Sequence, residues 1–314
     1  KHGQLAYIVP HKFFQSTFGE GLRKLLTQHK ALRQIVRFGA EQVFEEATTY
    51  TCLLFLSERA NEQFDLIEIK SLERGEEVLQ AVRQREKHPD YSHETLPEPE
   101  ITGSGRGEKI DWNFTIGASN LVLKRIIQHP TKLENITRKI FVGLQTSADK
   151  IYVLEILSEK SNTYFCFSKQ LAEEVEIEKG LVKPFLMGKD VHRYVTVAAK
   201  NVVIFPYRIL NGKADLMPQS YIREKYPLGW KYLKRNENAL AEREHGKMHG
   251  NKFYAYIYPK NLTEFESVKI MTPEIALGCQ MTLDVQGIFY HTTKVYSFIF
   301  KESVKKPLKY LLGL

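Results

Sequence analysis

The residues best suited to chemistry are cations gathered in one part of the chain. Between Gly180 and Lys260 the sequence has 15 Lys and Arg residues against six Asp and Glu residues, while the other 233 residues sum to −1. A concentrated basic segment is the electrostatic footprint of a protein that binds a polyanion such as nucleic acid. A solvated basic surface is the alternative interpretation. The predicted nucleic-acid contacts are Lys189, Arg193, Arg208, Lys231, Lys234, Arg235 and Arg243.

Each of these cations belongs to a predicted element. Lys189 and Arg193 lie in the turn GKDVHRY, where Lys and Arg suit phosphate contacts or bidentate recognition of guanine. A surface turn with an Asp–Arg ion pair explains the same residues equally well. Arg208 follows the predicted strand Ile204–Tyr207. The other four lie on a predicted helix, Tyr226–Glu244, whose spacing puts Lys231, Lys234 and Arg235 on one face.

Phe44 is the candidate for contact with an unpaired base. It is the one large apolar residue of the polar loop Glu41–Ala47, and no apolar stripe assigns it to a core. An aromatic face stacks on any base, with a stabilisation of roughly 1–3 kcal/mol per base. A Phe that only anchors the loop is the alternative. Tyr50 is the competing aromatic residue, but it falls in the predicted strand Thr49–Leu56 and is interpreted as core.

Several other patterns resemble sites but are better explained as structure. Asp65–Lys70 has the residue types of a nuclease metal site, yet Leu66 and Ile67 between charges are typical of an edge strand, Phe64–Ile69. The histidines lack metal-ligand spacing, so no metal site is predicted. The cysteines stand far apart in apolar contexts, which predicts reduced core residues of a cytoplasmic protein. They are Cys52, Cys166 and Cys279.

Apolar spacing predicts the elements that position these residues. Leu5–Val9 reads as a strand buried on both faces, and Gly21–Gln28 as a helix with Arg23 and Lys24 pointing outward. The other elements predicted in the first part are strand Ile35–Phe38, helix Ser71–Lys87, linker His88–Gly107 and a helix from about Asn120. The later ones are hairpin Ile140–Gln145 with Ile151–Leu157, strand Thr163–Phe167, acidic helix Lys169–Glu178, strands Lys269–Met271 and Lys294–Phe300, and helix Pro307–Leu314.

The segment from Leu5 to Leu56 resembles a known family. Its YIVPHKFF, LRKLL, FG and VFEEATTYTCLLFL are similar to the closing third of the gamma-class, TaqI-type adenine-specific DNA methyltransferases of restriction–modification systems. A looser resemblance to the target-recognition domain of that family runs through LVKPFLMGKDVHRY, VVIFPY, LKRNENAL and KIMTPEI. The resemblance implies that Phe44 is one wall of a pocket for an adenine flipped out of the duplex.

The resemblance also implies S-adenosylmethionine as the methyl donor of the intact enzyme. Family members bind it with a Gly-rich strand–loop–helix and orient the adenine with an Asn-Pro-Pro-aromatic loop, both of which precede the YIVP strand. This sequence contains no Asn-Pro-Pro, and Phe18–Gly21 is interpreted as a helix entry. We therefore expect a fragment with no catalytic residues, no cofactor of its own and no methyltransferase activity.

The predicted fold is α/β, with two domains. Residues 1–130 are expected to hold the end of a methyltransferase Rossmann-like sheet and a linker, and residues 131–314 an α+β target-recognition domain. The expected function is DNA binding and sequence recognition within a site-specific adenine methyltransferase, with double-stranded DNA as the partner and no membrane. No run approaches 18 apolar residues. Two alternatives stay open: a stand-alone DNA-specificity module without catalysis, and an RNA-binding or RNA-modifying protein.

Overall fold

The chain divides into two units, Lys1–Pro130 and Thr131–Leu314, in a computed structural model. The structure describes residues 3–39, 41–44, 49–102, 109–110, 112–193, 195, 197–276 and 278–313. Within these residues, no helix has the length and hydropathy needed to cross a membrane. The roles predicted for the two parts of the chain stay predictions.

The first unit is built on a five-stranded sheet whose strands are not in chain order. Its strands are β1 (Gln4–Pro10), β2 (Leu32–Arg37), β3 (Thr51–Ser57), β4 (Gln63–Ile69) and β5 (Tyr91–Pro97), in the order β1-β3-β2-β4-β5. β3 runs antiparallel to both of its neighbours, and β2 and β4 are parallel. The unit also holds a small pair, β6 (Ile101–Thr102) and β7 (Lys109–Ile110), and the helices α1 (Glu20–Gln28), α2 (Gly75–Gln84) and α3 (Ala118–Gln128).

Two strands of this sheet differ from the prediction. β1, predicted to be buried on both faces, is an edge strand, and Leu5, Tyr7 and Ile8 are about half exposed. β4, predicted to be an edge strand, lies between β2 and β5, and its successive residues Leu66 and Ile67 are both buried. They belong to different hydrophobic clusters, which cover the two faces of the sheet. A strand covered on both faces loses the alternation that marks half-buried strands.

Two local predictions in the first unit are also wrong. Arg23 was expected to point outward from α1, but it is buried and donates to the carbonyls of Phe13 (2.5 Å) and Ser16 (2.8 Å). The guanidinium therefore satisfies backbone acceptors of the turn that precedes the helix. The segment His88–Gly107, expected to be a linker, contains β5, which pairs with β4 along its length. The glycines of that segment lie outside the described residues.

The second unit holds two larger sheets and one hairpin. The six-stranded sheet has the order β11-β10-β9-β13-β12-β18, the four-stranded sheet has the order β17-β16-β19-β8, and β14 pairs with β15. The strands are β8 (Thr137–Val142), β9 (Val153–Glu159), β10 (Thr163–Ser168), β11 (Glu173–Glu178), β12 (Val182–Leu186), β13 (Asn201–Ile204), β14 (Tyr207–Leu210), β15 (Lys213–Leu216), β16 (Lys269–Pro273), β17 (Thr282–Asp284), β18 (Tyr290–His291) and β19 (Val295–Phe300). The helices are α4 (Leu133–Ile136), α5 (Asp149–Tyr152), α6 (Gln219–Lys225), α7 (Pro227–Arg235), α8 (Glu237–Ala241), α9 (Arg243–Gly246) and α10 (Leu308–Gly313).

Three predicted elements of this unit are replaced by others. The hairpin expected at Ile140–Leu157 does not form, because β8 pairs in one sheet and β9 in the other, with α5 between them. The acidic helix expected at Lys169–Glu178 is a turn followed by β11. The long helix expected at Tyr226–Glu244 is broken into α7, α8 and α9, and Glu244 and His245 have positive φ angles of 48° and 61°.

Aromatic residues dominate the core of the second unit. Tyr254 and Tyr256 belong to a run of turns and are buried. Their hydroxyls donate to the carbonyls of Met217 (2.7 Å) and Ile204 (2.5 Å), so these rings are packing residues rather than a base-reading surface. Of the cysteines predicted to be buried, Cys52 and Cys166 are buried and Cys279 is exposed.

Candidate nucleic-acid interface

Phe44 lies in the connection between β2 and β3. Its ring is 44% exposed and belongs to none of the hydrophobic clusters of the described chain. The Gln42 side-chain amide donates to the Phe44 carbonyl at 2.9 Å, and this bond restrains the backbone of the loop at Phe44. Residues 45–48 lie outside the described residues. Phe44 is therefore not part of a described core cluster, and its predicted contact with a base stays a prediction.

Tyr50 lies at the other end of the same connection. It was predicted to be core, but it precedes β3 and is 59% exposed. Together with Thr49 it lines a pocket of about 960 Å³ at the end of β1. In the sequence, the aromatic residues Trp112 and Phe114 are the feature that could have indicated this pocket. Its lining is Pro10, His11, Lys12, Phe14, Gln15, Ser16, Arg37, Thr49, Tyr50, Trp112, Asn113, Phe114, Thr115 and Leu123.

Lys189 and Arg193 are presented by the turn that follows β12. The Asp190 carboxylate accepts from the Met187 backbone N–H at 2.8 Å and thereby holds the turn. Asp190 is therefore occupied in shaping the backbone. The Arg193 backbone N–H donates to Gln280 Oε1 at 3.2 Å. Both basic side chains are exposed, with Lys189 at the tip of the turn.

Arg208 lies on β14, in the hairpin with β15. The hairpin turns at Asn211 and Gly212, whose positive φ angles of 49° and 73° are those of a tight two-residue turn. The Arg208 guanidinium lies over the Tyr221 ring, 4.3 Å from its centroid. This stacking orients the cation and leaves its edge donors available to a phosphate or a base.

The three cations predicted to share a helix face are on α7, but two of them are in ion pairs. Arg235 forms a bidentate pair with Glu173 on β11, and Lys234 pairs with Glu237. Lys231 is exposed, and no partner is found for its side chain among the described residues. The opposite side of α7 buries Tyr232 and Leu233, as the helix pattern predicts.

Arg243 is not on the surface. It is buried, and its guanidinium donates to four backbone carbonyls: Leu240 (2.8 Å), Thr146 (3.0 Å), Phe253 (2.7 Å) and Ala255 (2.8 Å). These bonds join the loop after β8, the end of α8 and the turns that follow α9. Arg243 has neither the exposure nor the donors for a phosphate, so its predicted role as a DNA contact is replaced by a structural one.

The basic excess of the chain lies wholly in the second unit. Residues 131–314 contain 28 Lys and Arg against 19 Asp and Glu, a net charge of +9. Residues 1–130 contain 17 against 18, a net charge of −1. Several lysines of the basic segment pair with acidic residues, such as Lys183 with Glu266 at 2.7 Å. The cations left for a polyanion are therefore fewer than the sequence suggests.

The Phe18–Gly21 segment leads into α1, as the sequence predicts. In the Phe18–Gly21 segment, a Cβ on Gly19 would lie 2.2 Å from the Phe13 carbonyl oxygen, so this glycine serves close packing rather than approach to a cofactor. No cluster of three or more metal-ligating side chains occurs within the described part of the chain. Asp65, from the nuclease-like pattern, accepts from Thr95 (2.8 Å) and lies 3.2 Å from His93 and from Arg85.

Comparison with known proteins gives consistent matches. Residues 1–44 match the family model of the Eco57I restriction-modification methylase. The chain is 30% identical over 245 residues to the type II restriction enzyme and methyltransferase RM.Eco57I of Escherichia coli, covering 74% of this chain and 22% of that protein. It is 26% identical over 187 residues to the type II methyltransferase M.AccI of Acinetobacter calcoaceticus, covering 59% and 30%. The chain thus spans less than a third of either relative.

One solved structure shares the fold over nearly the whole chain. It is that of the type IIL restriction-modification enzyme MmeI in complex with DNA, with a TM-score of 0.52 at 11% identity, covering 98% of this chain and 34% of that one. The structure is a mixed α/β fold with several sheets, so the predicted α/β class is confirmed. The Rossmann-like and target-recognition assignments of its two parts stay predictions. The predicted resemblance to restriction–modification methyltransferases is confirmed by the sequence matches.

Proposed function

We propose that this chain, a relative of type II restriction–modification methyltransferases, is the part of a site-specific adenine DNA methyltransferase that engages the duplex. Its second unit binds duplex DNA and recognises the site, and its first unit supplies an aromatic wall for the flipped adenine. In the intact protein the methyl group of S-adenosylmethionine is transferred to the adenine amino group.

The observation that carries the proposal is the separation of charge between the two units. The second unit has a net charge of +9 and the first a net charge of −1. Within the second unit, Lys189, Arg208 and Lys231 are exposed and are not in ion pairs with described residues. Exposed cations without carboxylate partners release counterions from DNA when they contact phosphates, which drives association.

Phe44 supports the assignment to the first unit. It is exposed, lies outside the described hydrophobic clusters and stands in a loop next to the end of the sheet. An enzyme that modifies a base must take it out of the stack and hold it, and an exposed aromatic ring holds any base by stacking. The proposed substrate is double-stranded DNA in the cytoplasm.

The test is duplex binding by the whole chain at several salt concentrations. With about six phosphates contacted, affinity is expected to fall by about three decades between about 50 and 200 mM salt. Each of Lys189→Ala, Arg208→Ala and Lys231→Ala should lower the salt slope by about one. Affinity that is independent of salt contradicts DNA as the partner.

The structure provides matched controls for these variants. Lys234→Ala and Arg235→Ala remove a positive charge from the same helix as Lys231, but both residues are already paired with glutamates. Because these pairs already neutralise the cations, their removal should change the slope less than Lys231→Ala does. Equal effects of paired and unpaired cations would indicate a diffuse attraction rather than a defined interface.

A further inference from the structure

The hairpin of β14 and β15 is fixed at its root and exposed at its tip. Among the described strands, the two pair only with each other. Four residues share one face in their register and pack against the largest hydrophobic cluster of the unit: Tyr207, Ile209, Ala214 and Leu216. The four residues of the tip are all exposed: Leu210, Asn211, Gly212 and Lys213. The core therefore holds the root of the hairpin, and the tip is open to a partner.

The hairpin is restrained at both ends. At the root, the Met217 N–H donates to the Pro206 carbonyl at 2.9 Å, which continues the pairing of the two strands. On the exposed face of the root, Arg208 is stacked on the Tyr221 ring. At the tip, the strands are joined by a two-residue turn whose backbone twist matches that of the strands. A ribbon that is already ordered loses little conformational entropy when it binds.

The dimensions of such a hairpin fit the major groove of B-DNA. Paired strands lie about 4.8 Å apart, so that a ribbon with its side chains fills a groove about 12 Å wide but not one about 6 Å wide. From Arg208 to Asn211 a strand rises by about 10 Å, which is close to the groove depth of about 8.5 Å. With the tip at the floor of the groove, Arg208 therefore lies level with the phosphates at its rim.

The tip carries side chains that read base edges. Asparagine pairs with adenine, lysine contacts guanine, and an apolar side chain contacts the thymine methyl group. Asn211, Lys213 and Leu210 supply these three groups. Within the described chain, no hydrogen bond or ion pair is found for the side chains of Asn211 and Lys213, so their donors are unused. The carboxylate of the hairpin, Asp215, lies opposite Arg208 at the root, away from the tip.

We propose that the β14–β15 hairpin enters the major groove of duplex DNA tip first, where Asn211 and Lys213 read base edges and Arg208 contacts a phosphate at the rim. The inference rests on the proposed function and deepens it, because it names the part of the second unit that recognises sequence. Asn211 and Lys213 are thereby specificity-determining residues, and neither belongs to the contacts predicted from the sequence.

The test is the sequence preference of the whole chain and its variants. The chain is bound to a library of duplexes with randomised base pairs, and the bound duplexes are sequenced. Anisotropy then measures affinity for the enriched duplex and for each of its single substitutions. Asn211→Gly removes the amide and keeps a residue that adopts the positive φ of the turn. Asn211→Gly and Lys213→Ala should each reduce discrimination at one base pair by about 5- to 100-fold and leave the other positions unchanged.

Asn162→Gly is the matched control, because Asn162 is also an exposed asparagine that joins two antiparallel strands of the second unit, β9 and β10. Its sequence preference should equal that of the parent chain. Arg208→Ala should weaken binding to every sequence alike, and loss of discrimination at one base pair would contradict its place at the rim. A preference that is unchanged in both Asn211→Gly and Lys213→Ala overturns the proposal, as does an equal change in Asn162→Gly.

Modified purines identify the groove. 7-Deazaadenine and 7-deazaguanine lack the N7 acceptor of the major groove and keep the minor-groove edge. Replacing one purine of the enriched duplex at a time should weaken binding of the parent chain about 2- to 10-fold at the positions that the hairpin reads. The variant that lacks the corresponding side chain should lose nothing further. Losses of equal size in the parent chain and in both variants would contradict major-groove reading by the hairpin.

Duplex binding at several salt concentrations separates this inference from the proposed function. Salt-dependent duplex binding with no enriched sequence refutes reading by the hairpin alone, whereas absence of duplex binding refutes the proposed function as well. Tighter binding to an RNA duplex than to the DNA duplex also contradicts the hairpin, because side chains cannot read the deep, narrow major groove of A-form RNA.

Discussion

Arg243 shows how a predicted contact residue turns out to be structural. A basic residue at the end of a predicted helix is typical of a phosphate contact, but here its guanidinium joins three backbone segments inside the second unit. Sequence spacing cannot distinguish the two roles, because an Arg at the same position can donate either to a phosphate or to backbone carbonyls. The loss of helical geometry at Glu244 and His245 is followed by turns that contain Phe253 and Ala255, whose carbonyls accept from the guanidinium.

We expect Arg243→Met to destabilise the chain by about 2–5 kcal/mol, since buried carbonyls lose their donors. Chemical unfolding monitored by circular dichroism measures this loss. Arg223→Met, at an exposed residue of α6, is the control and should change stability by less than about 0.5 kcal/mol. The salt slope of DNA binding should be unchanged for folded Arg243→Met. A reduced slope would return Arg243 to the interface.

Glu98 gives the chain a pH dependence of stability. Its carboxylate is buried, and burial raises its pKa to about 7 from 4.5 against an opposing interaction with the Leu32 backbone. The folded state therefore favours the protonated form. Its stabilising contribution is complete below pH 4.5 and is lost as the pH rises to about 7.

Glu98→Gln should remove this loss. At pH 8 the variant is expected to be more stable than the parent chain by about 1–3 kcal/mol, with little difference at pH 4.5. Unfolding free energies at several pH values provide the measurement. Glu100→Gln, two residues further along and exposed, is the matched control. A gain that is the same at every pH would show that the carboxylate is not the cause.

At the scale of elements, apolar spacing located some helices and strands closely and failed for others. α1, β3, β10 and β19 lie close to where apolar spacing places them. β11 was predicted to be helical because its acidic residues suggested an exposed helix. Its apolar residues, Val175 and Ile177, are two apart, which is the spacing of a strand. The helix prediction followed the acidic composition of the segment and overlooked the two-residue spacing of its apolar side chains.

The predictions that failed for other reasons depend on distant partners. β8 and β9 are neighbours in the sequence but pair with β19 in one sheet and β10 and β13 in the other. No local pattern encodes such a choice, because partners are selected by packing across the whole unit. The pocket beside Tyr50 was missed for the same reason, since Trp112 and Phe114 reach it from more than 50 residues away.

Gly143 lies where its backbone closely approaches the backbone of His291 and Thr292. A Cβ at this position would lie 2.0 Å from the His291 carbonyl oxygen and 2.2 Å from that of Thr292. Gly143→Ala should therefore destabilise the chain by about 2–4 kcal/mol, because backbone must shift. Gly278→Ala, with no atom within 4 Å of its Cβ, is the control. Similar melting temperatures for the two variants would contradict this packing.

At the scale of the whole molecule, the basic excess and the predicted base-stacking residue belong to different units. The second unit carries the basic excess, and the first carries the exposed Phe44 and Tyr50. Phosphate contacts hold the duplex whatever its sequence, whereas an aromatic wall acts only on a base that has left the stack. The proposed function therefore predicts that the two activities can be removed separately.

Phe44→Ala tests this division. Its target is a duplex that carries 2-aminopurine opposite an abasic site, where extrusion is easy because pairing is absent. Duplex affinity should stay within about twofold of the parent chain, because Phe44 contacts no phosphate, while the fluorescence change that reports extrusion should fall about 5- to 100-fold in its equilibrium constant. The triple variant Lys189→Ala, Arg208→Ala and Lys231→Ala should show the reverse, with weaker binding but normal extrusion at saturation. Phe18→Ala, at an even more exposed aromatic residue of the first unit, is the control. If Phe44→Ala weakens duplex binding and leaves extrusion unchanged, the assignment of base holding to the first unit is wrong.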